Sequence, residues 1–268
     1  FDLIITSEVF SLNSLKLALC TPKNLIVWQE LGKHNRIFHG LASKFWYGIV
    51  AKIGFKKALI VARSVQARKF ISKYCKNVSD TIIDHGVNIE KFTPCREKDN
   101  QFAISSQLIS RKHIEKSIEA FAKYLNKYDD SAKLYIMGDG DEKENLRKLA
   151  KDLSADKNII FTGKLGHNKL IEILKKSIAM LVYTEKDNNM VSIVESIALA
   201  TPVITTDIPY NASYIKTEKL GIVNNNWNEN DLRKLAASDE YINNCMNYRK
   251  YLPTEYKAEQ FLKVKGLI

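Results

Sequence analysis

Residues 178–207 read IAMLVYTEKDNNMVSIVESIALATPVITTD. A short apolar run at 178–184 gives way to a polar loop, then to a helical pattern. Thr201-Pro202 stops that helix before a second apolar run at 202–207. Strand, helix and strand so closely joined form a βαβ unit, whose two strands run parallel. The pattern extends outward. FAISS (102–106), KLYIMG (133–138), NIIFTG (158–163) and GIVNN (221–225) read as further strands. Between them, Ile114, Ile118, Phe121, Ala122 and Leu125 fall on one helical stripe, and Leu146, Leu149 and Leu153 on another. Residues 1–94 repeat the theme with strands near Leu3, Leu25, Leu59 and Ile82, the first (FDLIIT, 1–6) reading as buried. The expected fold is therefore α/β, two doubly wound parallel-sheet domains with helices on both faces. PCREKDN (94–100) is the polar, breaker-containing stretch between them. It divides the chain into 1–94 and 95–268, with the last helix a candidate to pack back on the first domain.

Composition agrees. The 268 residues are 45% hydrophobic and 26% charged, with only 5 Pro and 11 Gly, which excludes a disordered, collagenous or disulfide-dense chain. Cys20, Cys75, Cys95 and Cys245 lie far apart with no C-x-x-C pair and are expected to be reduced thiols of a cytosolic protein. The sequons at Asn77 and Asn211 are then chance matches. The most apolar run, Ile178 to Tyr183, is too short to span a bilayer, so a soluble or peripheral protein is expected.

The net charge of +11 is uneven: residues 1–97 hold 15 cations and 7 anions, residues 98–268 hold 26 and 23. No acid occurs between Glu30 and Asp80, a window that carries eleven Lys and Arg from Lys33 to Lys76. Such a surface attracts anions. Within it, the helical spacing puts Phe45, Trp46, Ile49, Val50 and Ile53 on one face beside Lys44, Lys52 and Lys56. That pattern suits a helix lying on an anionic membrane, and equally a surface helix packing its stripe on a sheet. The acid-free window favours the membrane, with residues 33–76 as the contact, at the inner face of the plasma membrane.

Open α/β sheets bind ligands beyond the carboxyl ends of their strands. The densest candidate there is 187–195, where Asp187 stands on a loop and Glu195 one turn inside the helix that follows. The amides around Met190 to Ser192 begin that helix, and a helix N-terminus is a ready phosphate site. Glu195 can accept from ribose hydroxyls, and Asp187 is within reach of a sugar. The helix dipole alone also favours acids at such a place.

This stretch resembles the acid-x7-Glu motif of the family-4 retaining glycosyltransferases, and ESIALATPVITTD (195–207) is similar to their EAMA-x-G-x-PVI-x-T signature. Four more segments agree in order and spacing. IIDHGVNIEKFTP (82–94) resembles the interdomain N-G-V-D-x-x-x-F-x-P segment, and ISSQLISRKHIEKSIEAF (104–121) the G-R-L-x-x-x-K-G phosphate segment. LYIMGDGDEKENLRKLA (134–150) resembles the G-x-G turn, and IIFTGKLGHNKLIEIL (159–174) the F-x-G nucleobase segment. The resemblance implies a GT-B enzyme of two Rossmann-like domains that takes a nucleotide-diphosphate sugar in the interdomain cleft. The sugar, with a UDP-sugar favoured as donor, would pass with retention to a polysaccharide, glycolipid or lipid-linked acceptor. Neither metal nor cofactor is implied. Carried over by position, the catalytic candidates are Lys112, at the diphosphate, and Asp187, at the donor sugar, while Glu195 meets the ribose. Gln107, Arg111, Gly138, Gly140, Lys164, Leu165, Asn188, Asn189, Met190, Val191 and Ser192 complete the implied donor-binding set.

The departures are specific. Gln107 replaces the motif's arginine, leaving Arg111 as its candidate substitute, and His113 replaces its glycine. Asn188-Asn189-Met190 stands where Gly-Phe-Gly is common, and Asp187 is shorter than the usual Glu, so a changed donor preference is expected. Gly138 and Gly140 serve a strand-to-helix turn as readily as a donor contact. In the first domain no residue matches the family's acceptor-side histidine cleanly; Glu30 and His34 are the candidates. About three more βα units, at roughly 30 residues each, would complete that domain ahead of Phe1. The resemblance thus implies an N-terminally incomplete chain with a whole donor half. Two other classes compete: a basic nucleic-acid-binding protein, which lacks a reading motif here, and a sugar-nucleotide epimerase, which would turn over donor without acceptor. No nucleic-acid partner is expected.

Overall fold

Every strand pairing in the computed structural model, which describes residues 2–33, 37–187 and 189–268, is parallel. Contacts gather Phe1–Gly86 with Glu255–Ile268 into one unit and Val87–Thr254 into another. The expectation drew its line after residue 94 and left the last helix open; the contacts draw theirs after Gly86 and assign residues 255–268 to the first unit.

The first unit runs β1 (Ile4–Ser7), α1 (Leu12–Cys20), β2 (Leu25–Gln29), α2 (Gly40–Phe45), a π-helical turn (Trp46–Ala51), α3 (Lys52–Gly54), β3 (Leu59–Ala62), α4 (Val65–Ile71) and β4 (Val78–Ile82). Its sheet order is β1-β2-β3-β4. Because side chains alternate along a strand, β2 feeds two cores. Leu25 and Val27 pack with Tyr47, Phe55, Ile60 and Phe70 on one face, while Ile26 packs with Val61, Ile83 and Phe261 on the other. The edge strand β1 is not buried throughout: it starts at Ile4 and alternates, leaving Ile5 exposed. Helix starts follow their caps, with the Ser11 and Ser64 side chains accepting from Ser14 N and Ala67 N.

The expected single stripe over 44–57 is split. Trp46 turns inward, donating its indole N–H to Val9 O at 3.2 Å, and Tyr47, Ala51 and Phe55 are fully buried, whereas Phe45, Ile49 and Ile53 face solvent. The π-helical turn places more residues per turn than the 3.6 on which the stripe was read, so its residues rotate apart.

The second unit runs β5 (Gln101–Ser105), α5 (Ile114–Lys127), β6 (Lys133–Met137), α6 (Lys143–Asp152), β7 (Ile159–Gly163), α7 (His167–Lys176), β8 (Ala179–Leu181), α8 (Val191–Ala198), β9 (Val203–Thr205), α9 (Asn211–Thr217), β10 (Gly221–Val223), α10 (Glu229–Ala236) and α11 (Glu240–Tyr248). A final helix, α12 (Thr254–Lys265), completes the chain. The sheet order is β10-β9-β8-β5-β6-β7. Phe102 and Ile104 of β5 pack on Phe121, Leu146 and Leu232 at one face; Ala103 packs with Met180, Ile193 and Val194 at the other. Burying each large apolar side chain this way contributes about 1.5–3 kcal/mol. The doubly wound fold is thus as expected, and the order reverses between β5 and β8, where such sheets open a crevice.

Cys75 and Cys245 are buried, which pushes their thiols up to about 12, and all four cysteines are unbridged. Among the described residues no helix is long and apolar enough to cross a membrane.

Candidate functional site

The loops that leave β5 and β8 meet at this reversal. After β5 the chain makes a single 3-10 turn, Ser110–Lys112, and enters α5 through His113, whose backbone is left-handed (φ 41°). Arg111 and Lys112 are thereby presented side by side to the loop that follows β8. Lys112 Nζ donates to Asp187 Oδ2 at 2.8 Å, and Arg111 Nη1 lies 3.2 Å from Asp187 Oδ1 and donates to Lys186 O at 2.7 Å. The Thr184 hydroxyl also bonds Asp187 Oδ2, and Glu185 N donates to Arg111 O. The side chains of Lys112 and Asp187 are only 11% and 16% exposed, so their attraction is screened less than that of a surface pair. Two cations share the Asp187 carboxylate, an excess of one positive charge within this trio; the Glu115 and Glu185 carboxylates that bracket the neighbouring His113 stand outside it.

His113 joins the same loops. Its Nδ1 lies 2.8 Å from Glu115 and its Nε2 2.7 Å from Glu185. Burial works against its charge, but the bonds and charges of the two carboxylates outweigh it and raise the imidazole pKa above its ordinary value.

α8 starts beside this cluster. Met190 N donates to Asn211 Oδ1 at 2.7 Å, and Asn211 Nδ2 donates to Asn189 Oδ1 at 2.7 Å, so a buried asparagine of α9 fixes the approach to the helix. Val191 is exposed and Ser192 half-buried at the first turn, where helix amides lack intrahelical acceptors. Asn188 lies outside the described residues. Glu195, one turn in, is held at Oε1 by His167 Nε2 of α7 at 3.0 Å, and the His167 ring packs edge-on against Phe92.

The remaining predicted residues are spread around this centre. A Cβ on Gly138 would stand 1.8 Å from Ser106 O, and one on Gly140 2.3 Å from Leu108 O. These glycines let the β6 turn lie against the β5 loop that carries Lys112, a contact closed by Leu108 N donating to Asp139 O. Gln107 and Lys164 are exposed, and Leu165 packs into the apolar cluster beneath α7. Sequence reasoning missed Thr184, Glu185, His167 and Asn211. His167 opens its helix and Asn211 sits in a sequon, but sequence spacing gives no reason to pair either with residues 22 or more positions away.

The carboxyl edge of the first unit's sheet carries a second polar cluster. Glu8, in left-handed backbone (φ 71°), accepts from Glu30 N at 2.7 Å and Gln29 Nε2 at 2.8 Å, while Gln29 Oε1 accepts from Val9 N at 2.9 Å. Burial raises the Glu8 pKa against the pull of those amides and of Arg63. Arg63 pairs with Glu30 and stacks 3.6 Å over the Trp28 ring. His85, hydrogen-bonded to Glu30, and then Arg63 hold the Glu30 carboxyl below its ordinary range. His34, the other candidate here, lies outside the described residues.

With this geometry in hand, three comparisons bear on the chain. A family model described as "Glycosyl transferases group 1" matches residues 88–250, nearly the whole second unit. The alpha-monoglucosyldiacylglycerol synthase of Streptococcus pneumoniae is 26% identical over 225 residues, 76% of this chain and 50% of its own. The poly(ribitol-phosphate) alpha-N-acetylglucosaminyltransferase of Staphylococcus aureus is 28% identical over 129 residues, 47% of this chain and 25% of its own. The crystal structure of HepE from Anabaena in complex with UDP superposes with a TM-score of 0.74 at 13% identity, over 100% of this chain and 79% of that one, and supports the fold. The chain spans about half the length, or less, of the curated relatives it matches first.

Proposed function

Since the chain belongs to the group 1 glycosyl transferases, we propose that it binds a nucleotide-diphosphate sugar at the β5/β8 crevice and transfers the sugar, with retention at the anomeric carbon, to a glycan or lipid-linked acceptor. The observation that carries this reading is the Arg111–Asp187–Lys112 cluster with its surplus positive charge, set beside the start of α8. A diphosphate entering there trades places with part of the Asp187 carboxylate: Lys112 and Arg111 turn to the phosphate oxygens, and the amides of 189–192 add partial positive charge. As the sugar–phosphate bond breaks, charge grows on the diphosphate. Preorganised cations and amides stabilise that charge without a divalent ion, each worth roughly 3–4 kcal/mol when removed. Asp187, released from one cation, accepts from donor-sugar hydroxyls. Glu195, oriented by His167, accepts from the ribose, while Lys164 and Leu165 border the base and the Gly138 and Gly140 turn keeps the β5 loop in place.

A UDP-sugar is the favoured donor. The UDP bound to HepE supports this choice, and the names of the two relatives support a lipid or polymer acceptor. The place of work is the cytoplasmic face of an anionic membrane, met through residues 33–76.

Calorimetric titration with UDP, GDP and their sugars tests the reading, repeated on Lys112→Ala and Glu195→Ala. Saturable binding of one nucleotide, weakened by both substitutions, supports it; binding of none sinks it for this chain. Donor turnover without acceptor would favour an epimerase instead.

A further inference from the structure

Along the helical segment 40–54 of the first unit, Leu41, Phe45, Ile49 and Ile53 are 82%, 60%, 51% and 69% exposed. They recur every fourth residue and so form a row on one side. Contiguous exposed apolar surface of this kind marks a place that something covers. Beside the row opens a groove of about 520 Å³, lined by the apolar Ile49, Ile53 and Tyr74 and by Lys52, Lys56 and Lys76. Among the described residues the ion pairs of this unit are Arg63–Glu30, His85–Glu30, Arg68–Asp80 and Lys257–Asp84, and none engages those three lysines. The groove thus combines apolar walls with a cluster of unneutralised cations.

We propose that this groove seats an anionic phospholipid of a membrane surface, its phosphate against Lys52, Lys56 and Lys76 and an acyl chain along Ile49 and Ile53, while Leu41 and Phe45 enter the interface beside it. An amphiphile is the occupant that satisfies both halves of the lining. A second copy of this chain would bring like charge against like charge, since no acid occurs between Glu30 and Asp80. A nucleic-acid backbone would meet the lysines but leave the apolar row wet. The proposal deepens the membrane contact in the functional reading from a charged face to a defined lipid site, and it is independent of the donor crevice.

The test is co-sedimentation of the full chain with phosphatidylcholine vesicles containing or lacking phosphatidylglycerol. Saturable binding to the anionic vesicles alone is expected. The triple variant K52Q/K56Q/K76Q should bind on the order of 100-fold more weakly, taking about fivefold for each lysine at the surface. Phe45→Ser with Ile53→Ser should weaken binding to the same vesicles with all lysines in place. These side chains are exposed, so matched thermal melts confirm that the variants fold. Equal binding to both vesicle types, unchanged binding by the triple variant, or release by millimolar inorganic phosphate alone would overturn the lipid seat. So would self-association or RNA retention without vesicle binding. UDP titration of the same preparations separates the two readings: lost vesicle binding with intact UDP binding in the parent chain refutes only the lipid seat, and the converse refutes only the donor site.

Discussion

At the carboxyl edge of the six-stranded sheet, Arg111 and Lys112 share the one carboxylate of Asp187; at the same edge of the four-stranded sheet, Arg63 stands among two carboxylates, Glu8 and Glu30. Both clusters lie where parallel sheets place ligands. They differ in how their charges are satisfied. Asp187 is held by cationic side chains that can turn from it to a bound anion, and within that trio the charge in excess is positive. Glu8 is tied into main-chain amides and the buried Gln29, an arrangement that joins the ends of β1 and β2; among the described residues Arg63 faces both Glu8 and Glu30, so no positive charge is in excess there. Position at a sheet edge therefore nominates a site, and charge balance decides what the site can do.

The largest expected effect sharpens this contrast. Lys112→Ala removes the buried cation of the pair and should slow transfer by about 10²–10³-fold, measured by single-turnover kinetics with UDP-sugar, while urea unfolding loses only about 1 kcal/mol because Arg111 and the Thr184 hydroxyl still hold Asp187. A large stability loss with full activity would reverse the roles of the two clusters. Gln29→Leu is the opposite case. It strands the Val9 N–H and part of the Glu8 carboxylate in a buried setting and should cost about 2–3 kcal/mol in urea unfolding, with the UDP affinity of the folded protein unchanged. Glu195→Gln keeps shape and loses charge; UDP should bind roughly tenfold more weakly, the ribose bond to a charged acceptor being worth about 1.5 kcal/mol.

The smallest effect is a matter of pH. His113 has a raised pKa, so its contribution is full below the ordinary histidine pKa of about 6.5 and is lost as pH rises through the higher folded value. His113→Gly relieves the left-handed backbone but gives up both carboxylate contacts. The variant should be less stable than the parent in acid and equal or better at high pH, by a few tenths of a kcal/mol because solvent screens the group. Parallel stability curves across pH 5–9 would show that His113 carries no charge-dependent load.

The strands were legible because each parallel strand is a short apolar run, and the runs at 102–106, 133–138 and 158–163 agree with β5, β6 and β7 to within a residue or so. Asp187 and Lys112 were nominated by motif, since the loops that hold them follow strands directly. What remained hidden depends on sheet order: Glu195 meets His167 because α7 and α8 serve neighbouring parts of one sheet, a fact no local pattern encodes. The rotation of Trp46 away from Phe45 was hidden for another reason, because a 3.6-residue reading has no place for a π-helical turn. Likewise no local pattern singles out Glu8, whose closest amide contact comes from Glu30, 22 residues on and just past β2.

The pairing of residues 1–86 with 255–268 has a consequence for synthesis on the ribosome. Phe261 fills the core face of Ile26, Val61 and Ile83, and Lys257 neutralises Asp84, both ends of that pair being nearly buried. Residues 1–86 can complete this core only after residues 255–268 have emerged, while residues 87–254, continuous in sequence, are free to fold in between. During elongation the sheet of β1–β4 waits with one face uncovered, and it is this early-made, late-finished unit that a chaperone would most need to shield.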